Sequence, residues 1–415
     1  MNQDPDQPDR YDCIVIGAGP AGSTVATLLA RAGHSVVLIE RDKMPREHVG
    51  ESLMPATNSV LSRLGLEQAF ARSGFPRKVG VQFFSSVGKE SRPFFFRTHD
   101  DRAESETWHV KREVFDQLLL DTARASGAEI WEETRVHRVL FDDQQRAEGV
   151  TILESDGQQR TVHSQVVVDA TGQQSLIANQ LGLKQLDSTR KNAAIWGYFQ
   201  SPTAALDMKT VTIIAKTRDH DGWIWYIPLD EQQVSIGLVA DRDRLFGNEQ
   251  TPEQSFEWGL QNCPAIRGRI EKHGLVPKEK MLIARDYSYQ ASSSCGQGWV
   301  LVGDAKGFID PVYSTGVYLA LRSGELAADA IIEGLKADDL GPAQLGRWVE
   351  DYDRRVAWLS KLVDLFYDDK FHFGSFFSDH PDQVGILSNL LMGRIYEMES
   401  GPNEFFAMTE SWKAG

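Results

Sequence analysis

Apolar and polar positions along this chain repeat with two different periods. Residues 11–45 open with the apolar run YDCIVIG, pass a glycine-rich turn into STVATLLARAG with helical spacing, and return in a second apolar run, SVVLIE. Runs that are apolar at every position suit strands covered on both faces, so this opening predicts a parallel strand–helix–strand unit. Helical spacing recurs after Pro55 in ATNSVLSRLGLEQAFARSG, and after Lys111, where Val114, Phe115, Leu118, Leu119 and Ala123 share one face. Between these two amphipathic stretches, VQFF and RPFFF with Gly and Ser breaks read as strands or loops of a second sheet.

RVHRVLF and GVTILE, between 129 and 153, alternate like a β-meander, and VVVDATG at 166–172 predicts a buried strand that rejoins the first sheet. AIWGYF, VTIIAK, GWIWYIP and VSIGLVA predict further strands within 190–295, followed by a mixed segment around CPAIRGRIEKHG. WVLVGDA, from 299, predicts another buried strand, and YLALRSGELAADAIIEGL a long helix with mostly helical sequence after it. The expected fold class is therefore α/β. A discontinuous nucleotide-binding domain takes 11–75, 111–185 and 296–340, a β-rich domain takes 76–110 and 186–295, and a helical C-terminal region takes 341–415.

Composition narrows the class without changing this layout. A chain of 415 residues with 41% hydrophobic and 25% charged residues is long enough for two or three domains, and is neither disordered, collagenous nor disulfide-stapled. A net charge of −15 repels phosphate backbones and anionic lipid, which argues against nucleic acid as a partner. Cys13, Cys263 and Cys295 form no CxxC pair and have no His at ligand spacing, so no disulfide framework or metal site is expected, and a cytoplasmic location fits. The first ten residues are polar, without an export signal, and are expected to be unstructured, as are the last few. The most apolar early window, 25–39, is interrupted by Arg31 and His34, so no membrane span is expected.

Gly17, Gly19 and Gly22 in GAGPAGS make a GxGxxG between strand and helix, with Pro20 and Ala21 at the helix start and the acidic Glu40, then Arg41, after the second strand. Glycines there permit a tight turn and close approach of a pyrophosphate to a helix N-terminus, and the carboxylate can accept hydrogen bonds from a ribose. Gly303, Asp304 and Ala305 follow the WVLV strand, where an Asp can hold a ribityl hydroxyl or a group near the phosphate.

Together with DATG at 169–172 and Arg112 opening a helix, these elements resemble the FAD-binding parts of glutathione-reductase-like flavoproteins with the hydroxybenzoate-hydroxylase arrangement. PREHVGESLMP (45–55), GFPRKVG (74–80), GWIWYIP (222–228) and FIDPVYSTGV (308–317) further resemble the flavin-dependent halogenases. The resemblance implies a glutathione-reductase-like FAD-binding Rossmann domain with an inserted β-rich substrate domain, contacted by FAD through the residues above and through Glu51, Ser52, Pro311, Gly316 and Val317. It implies FADH2 from a separate NAD(P)H flavin reductase, O2, and chloride or bromide as cosubstrate. In that chemistry a C4a-hydroperoxide gives hypohalous acid, which travels to Lys78, where an ammonium or amine can hold the electrophilic halogen.

The resemblance also implies a halide site at Ser314, Thr315 and Gly316, whose successive N–H groups can equally be a plain helix N-cap. Trp223, Trp225, Ile227 and Pro228 would shield organic substrate from the flavin, both tryptophans falling on one face of a strand. One departure is Tyr313, which stands where tryptophan halogenases carry a Glu, so a carboxylate for the arene proton is missing there. The chain is more similar to the branch acting on phenols or pyrroles, free or tethered to an acyl carrier. Competing readings are an FAD-dependent aromatic monooxygenase, a geranylgeranyl-reductase-like flavoprotein, and a non-catalytic flavin-binding partner in a biosynthetic assembly. WxWxIP with Lys78 argues against the first two, Lys78 with the halide-loop glycine against the third, and the aromatic C-terminal segment, Tyr367 and His372 included, is read as ordinary helix packing that could cap a substrate cavity.

Overall fold

A computed structural model describes residues 10–153, 157–186, 191–202, 209–219, 222–247, 250–285 and 288–414. The first nine residues and the last one, both in stretches expected to be unstructured, lie outside the described residues. The opening strand, Arg10–Ile16, runs parallel to Val36–Ile39 on one side and to Gln159–Asp169 on the other. Trp299–Leu301 extends this eight-stranded sheet beyond Gln159–Asp169, and Glu129–Trp131 extends it beyond Val36–Ile39. Ile14, Val37, Val167 and Leu301 have no exposed surface, as strands covered on both faces require. Arg135–Phe141 and Ala147–Leu153 form the expected meander, which joins the outer half of Gln159–Asp169.

Two helices cover one face of this sheet, Pro20–Arg31 and Gly316–Ala337. They touch backbone to backbone: a Cβ on Gly324 would stand 2.7 Å from the Ala21 carbonyl oxygen, so no larger residue fits between them. The single helix expected after Pro55 is two, Thr57–Arg63 and Glu67–Arg72, because Gly65 turns into the left-handed region at φ +73° and ends the first. In Arg112–Ala125 the buried stripe is Phe115, Leu119, Leu120 and Ala123, while Val114, expected to share that face, is 40% exposed. The stripe is rotated because Asp116 turns inward to meet Arg112.

The second sheet has nine strands. Arg77–Phe84 runs parallel to Lys209–Lys216, which is followed in antiparallel order by Gly222–Pro228, Gln233–Asp241 and Asn192–Gln200. Phe94–Phe95 and Thr107–Trp108 pair with Arg77–Phe84, so the aromatic pieces of the 79–110 segment do join a second sheet. Period-two geometry sorts its strands cleanly: Ile224 and Tyr226 face a core with Leu238 and Phe256, whereas Trp223, Trp225 and Ile227 face the first sheet's core. The mixed segment near 263 resolves into the helices Pro252–Gln261 and Pro264–His273, the first started by a capping box between Thr251 and Gln254.

Beyond residue 341 the chain is helical, with Val349–Tyr367, Phe373–Asp379, Val384–Met392 and Gly401–Ala414 as its main elements. Rings of Phe371, Phe376, Phe405 and Trp412 pack edge to face or tilted within it. Among the described residues no helix is long and apolar enough to cross a membrane.

Candidate active site

A cavity of about 650 Å³ runs from the glycine loop, between the two sheets, to the tryptophan face of the second. At its start, Gly17 has φ +104°, and a Cβ there would stand 2.4 Å from the Ala170 oxygen; a Cβ on Gly22 would stand 1.9 Å from the Gly17 oxygen. These two glycines are compelled by backbone packing. Gly19 is different, since the nearest atom to a Cβ on it is Arg46 Nη2 at 3.8 Å. The helix beginning at Pro20 has no side-chain cap, so its first-turn amides are available to an anion. Glu40, nearly fully buried, accepts from the Ala18 and Asp42 amides at 2.8 and 3.0 Å, tying the loop to the end of the second strand. This is a cradle shaped for the pyrophosphate and ribose of a dinucleotide.

Arg41, Glu51, Ser52, Arg112, Asp304, Pro311 and Val317 all line the same cavity. Arg112 is held by a bidentate pair with Asp116, at 2.8 and 2.9 Å. Burial lifts Asp304 to about 7, against the pull of Arg112, and lifts Glu51 to about 6, against hydrogen bonds and the same guanidinium. Tyr198 bridges Glu51 and Glu47 at 3.1 and 2.8 Å. On this stretch of the wall the Arg112 guanidinium therefore stands with two acids, Glu51 and Asp304, that burial brings toward neutrality.

Lys78 sits one layer back. Ser52 and Thr212 line the cavity, and behind them the Lys78 ammonium donates to Ser52 Oγ at 2.9 Å and to the Leu53 carbonyl at 2.8 Å. Its side chain is 1% exposed, and burial brings its pKa down to about 7. Ser52 Oγ contacts Thr212 Oγ1 at 2.7 Å, and His109 bridges Thr212 and Thr210 at 2.9 Å each. Burial, then the Lys78 charge, hold His109 well below its usual range, so the imidazole is neutral. Nothing in the sequence singled out His109 or Thr212, which share this site only through strand pairing.

Ser314, in the left-handed region at φ +62°, turns the chain into the 22-residue helix Gly316–Ala337. That helix has no side-chain cap, and the Thr315 hydroxyl is buried without a hydrogen-bond partner among the described residues. Ser314 and Gly316 line the cavity; Thr315, Gly22 and Pro228 lie off its wall. An uncapped helix start with an unsatisfied hydroxyl beside it suits a small anion.

Trp223, Trp225 and Ile227 line the far end, the two indoles 6.0 Å apart. Trp225 donates to Ser235 Oγ at 3.0 Å and needs Gly237 across the hairpin, where a Cβ would stand 2.1 Å from its ring. Trp223 donates to the Tyr367 hydroxyl at 2.7 Å, and Tyr367 donates to Asp310 at 2.8 Å. The reading of Tyr367 as ordinary helix packing thus misses a hydrogen bond to this wall. Tyr313 is buried among Phe83 and Phe366, where a phenol, pushed far above its usual range by burial, supplies no carboxylate.

Residues 10–339 match the FAD binding domain family. The chain is 30% identical over 413 residues to a 1H-pyrrole-2-carbonyl-[peptidyl-carrier protein] chlorinase of Pseudomonas fluorescens, covering 93% of this chain and 90% of that protein. It is 32% identical over 394 residues to the corresponding brominase of Pseudoalteromonas luteoviolacea, covering 94% and 93%. The solved structure of the flavin-dependent brominase Bmp2 superposes with a TM-score of 0.85 at 27% identity, over 98% of this chain and 99% of that one.

Proposed function

Given that the chain belongs to the flavin-dependent halogenases, we propose that it halogenates an electron-rich aromatic, a phenol or pyrrole, free or tethered to an acyl carrier, using chloride or bromide. The names of the two relatives, both acting on a carrier-bound pyrrole, favour the pyrrole and carrier end of that range. Residues 11–75, 111–185 and 296–340 are read as a glutathione-reductase-like FAD-binding domain, 76–110 and 186–295 as an inserted β-rich substrate domain, and 341–415 as a helical C-terminal region. Reduced FAD, delivered by a separate NAD(P)H reductase, supplies with O2 the two-electron oxidation of halide to hypohalous acid.

The chain's own residues do the rest. The Gly17–Gly22 loop and Glu40 hold the dinucleotide half, while Arg112 and Asp304 hold the remainder against the cavity wall. Ser314 with the uncapped start of the Gly316–Ala337 helix holds the halide. Trp223, Trp225 and Ile227 keep aromatic substrate out of the cofactor cavity. Lys78 in its neutral form directs two N–H bonds to Ser52 Oγ and Leu53 O and retains one lone pair, which takes the halogen from hypohalous acid as the halogen–oxygen bond breaks, one amine proton leaving with the hydroxide as water. The observation that carries this reading is the placement of Lys78: buried, titrating near 7, and one layer of hydroxyls behind the wall of the cavity.

The test needs no knowledge of the aromatic. Anaerobically reduced holoenzyme is mixed with oxygen over a bromide series, with methionine as a thioether trap, and sulfoxide is quantified. Saturable, bromide-dependent sulfoxide is expected; a yield indifferent to halide sinks the proposal.

A further inference from the structure

We infer that Tyr367 is a positioning residue for the halide loop, through which the last turn of the Val349–Tyr367 helix fixes that loop and the tryptophan wall together. The inference rests on the halide reading above. A phenol has one proton to give, and Trp223 Nε1 and Asn192 Nδ2 are both donors, at 2.7 and 3.1 Å from the Tyr367 oxygen. The phenolic proton therefore goes to Asp310 Oδ2, 2.8 Å away, which Asn192 also meets at 2.9 Å.

Asp310 is wholly buried, so every donor to it offsets desolvation of its charge. Its other oxygen accepts the Val312 amide at 3.1 Å and so caps the Pro311–Tyr313 turn, which delivers the chain to Ser314 in its left-handed conformation. Phe366, the preceding residue, packs edge to face against Trp223 at 6.3 Å and Tyr313 at 6.2 Å. One helix end thus contacts the shielding strand and both ends of the Pro311–Tyr313 turn that leads into the halide site. Removing the hydroxyl leaves the Trp223 N–H without this acceptor and Asp310 with one donor fewer, so the carboxylate that caps the turn is held less firmly.

The test compares Tyr367→Phe, Phe366→Leu and unaltered holoenzyme. Three readouts are taken: the bromide dissociation constant from flavin absorbance, halide KM and kcat in the thioether assay, and FAD affinity with melting temperature. Tyr367→Phe is expected to weaken bromide binding and raise halide KM by about 5–10-fold. Its kcat at saturating halide and its FAD affinity should stay within about two-fold, since the phenol touches neither. Phe366→Leu, which loosens packing on Trp223 and Tyr313 and keeps the hydrogen bonds, should lower the melting temperature and raise halide KM less than Tyr367→Phe does. Unchanged bromide binding in Tyr367→Phe overturns the inference, as does a common loss of halide, flavin and stability, which marks mere packing. If the unaltered enzyme shows no halide dependence, the halide reading falls and takes the inference with it, an outcome visible before any variant is compared.

Discussion

The hydroxyl of Ser52 stands on the cavity wall, and the amine of Lys78 stands 2.9 Å behind it. Ser52 and Thr212, 2.7 Å apart, close the wall in front of the amine, so anything that reaches it from the cavity has to move these two hydroxyls, a far smaller displacement for a molecule of two heavy atoms than for an aromatic ring. Separate access for oxidant and substrate is what a halogenase requires, because oxygen is then delivered to halide and not to the ring.

Lys78→Ala is expected to lower aromatic halogenation about 100-fold or more, the scale associated with losing a positioned reacting partner. Trapped hypohalous acid should stay within about three-fold of the unaltered enzyme, since Lys78 is not on the cavity wall. Assaying aromatic product and methionine sulfoxide in the same reaction separates the two steps. Undiminished aromatic product would remove Lys78 from the mechanism.

The buried amine also sets a dependence of stability on pH. Its folded pKa of about 7 lies below the usual 10.5, so between these values the unfolded chain binds the extra proton and stability rises with pH. Below about 7 both states are protonated, and the cost of burying the charge is fully present. Lys78→Met should therefore be most favourable relative to the unaltered protein at low pH. Its advantage should shrink by up to about 1.4 kcal/mol per pH unit from neutrality toward 10. Urea midpoints of both proteins across this range give the slope; parallel curves would show that Lys78 does not titrate in the window.

Two alanine substitutions in one loop should fail differently. Gly22→Ala places a methyl 1.9 Å from the Gly17 oxygen and must move backbone, with an expected loss of about 2 kcal/mol or more. Gly19→Ala meets nothing closer than Arg46 Nη2 at 3.8 Å, so the flavin-free protein should melt normally while FAD affinity falls about ten-fold or more. Melting curves and flavin fluorescence titrations decide the matter, and normal FAD affinity in Gly19→Ala would mean the cofactor does not approach that glycine.

Features written by local spacing were legible in the sequence. The glycine loop with Glu40, the buried parallel strands, and the two tryptophans facing one side all follow from neighbours a few residues apart, and the structure places them together. Gly65 between two helices and the Thr251 capping box carried signals that a stricter reading of helix ends would have used. Other features leave no periodicity. Trp223 and Tyr367 are 144 residues apart, and His109 reaches Thr212 across 103; only tertiary packing brings such pairs within a hydrogen bond. The rotation of the Arg112–Ala125 helix is a local feature, since Arg112 and Asp116 lie four residues apart, but nothing in that spacing says that the pair is buried.

The contact of Gly324 with the Ala21 carbonyl acts as a ruler. One of the two helices it joins begins at the dinucleotide loop and the other at the proposed halide loop, and at this crossing no side chain lies between them to be lengthened or trimmed. The spacing of the two anion-accepting ends is therefore a property of the backbone. Substitutions elsewhere on the cavity wall can re-shape the cavity while the spacing of these two helix starts stays the same.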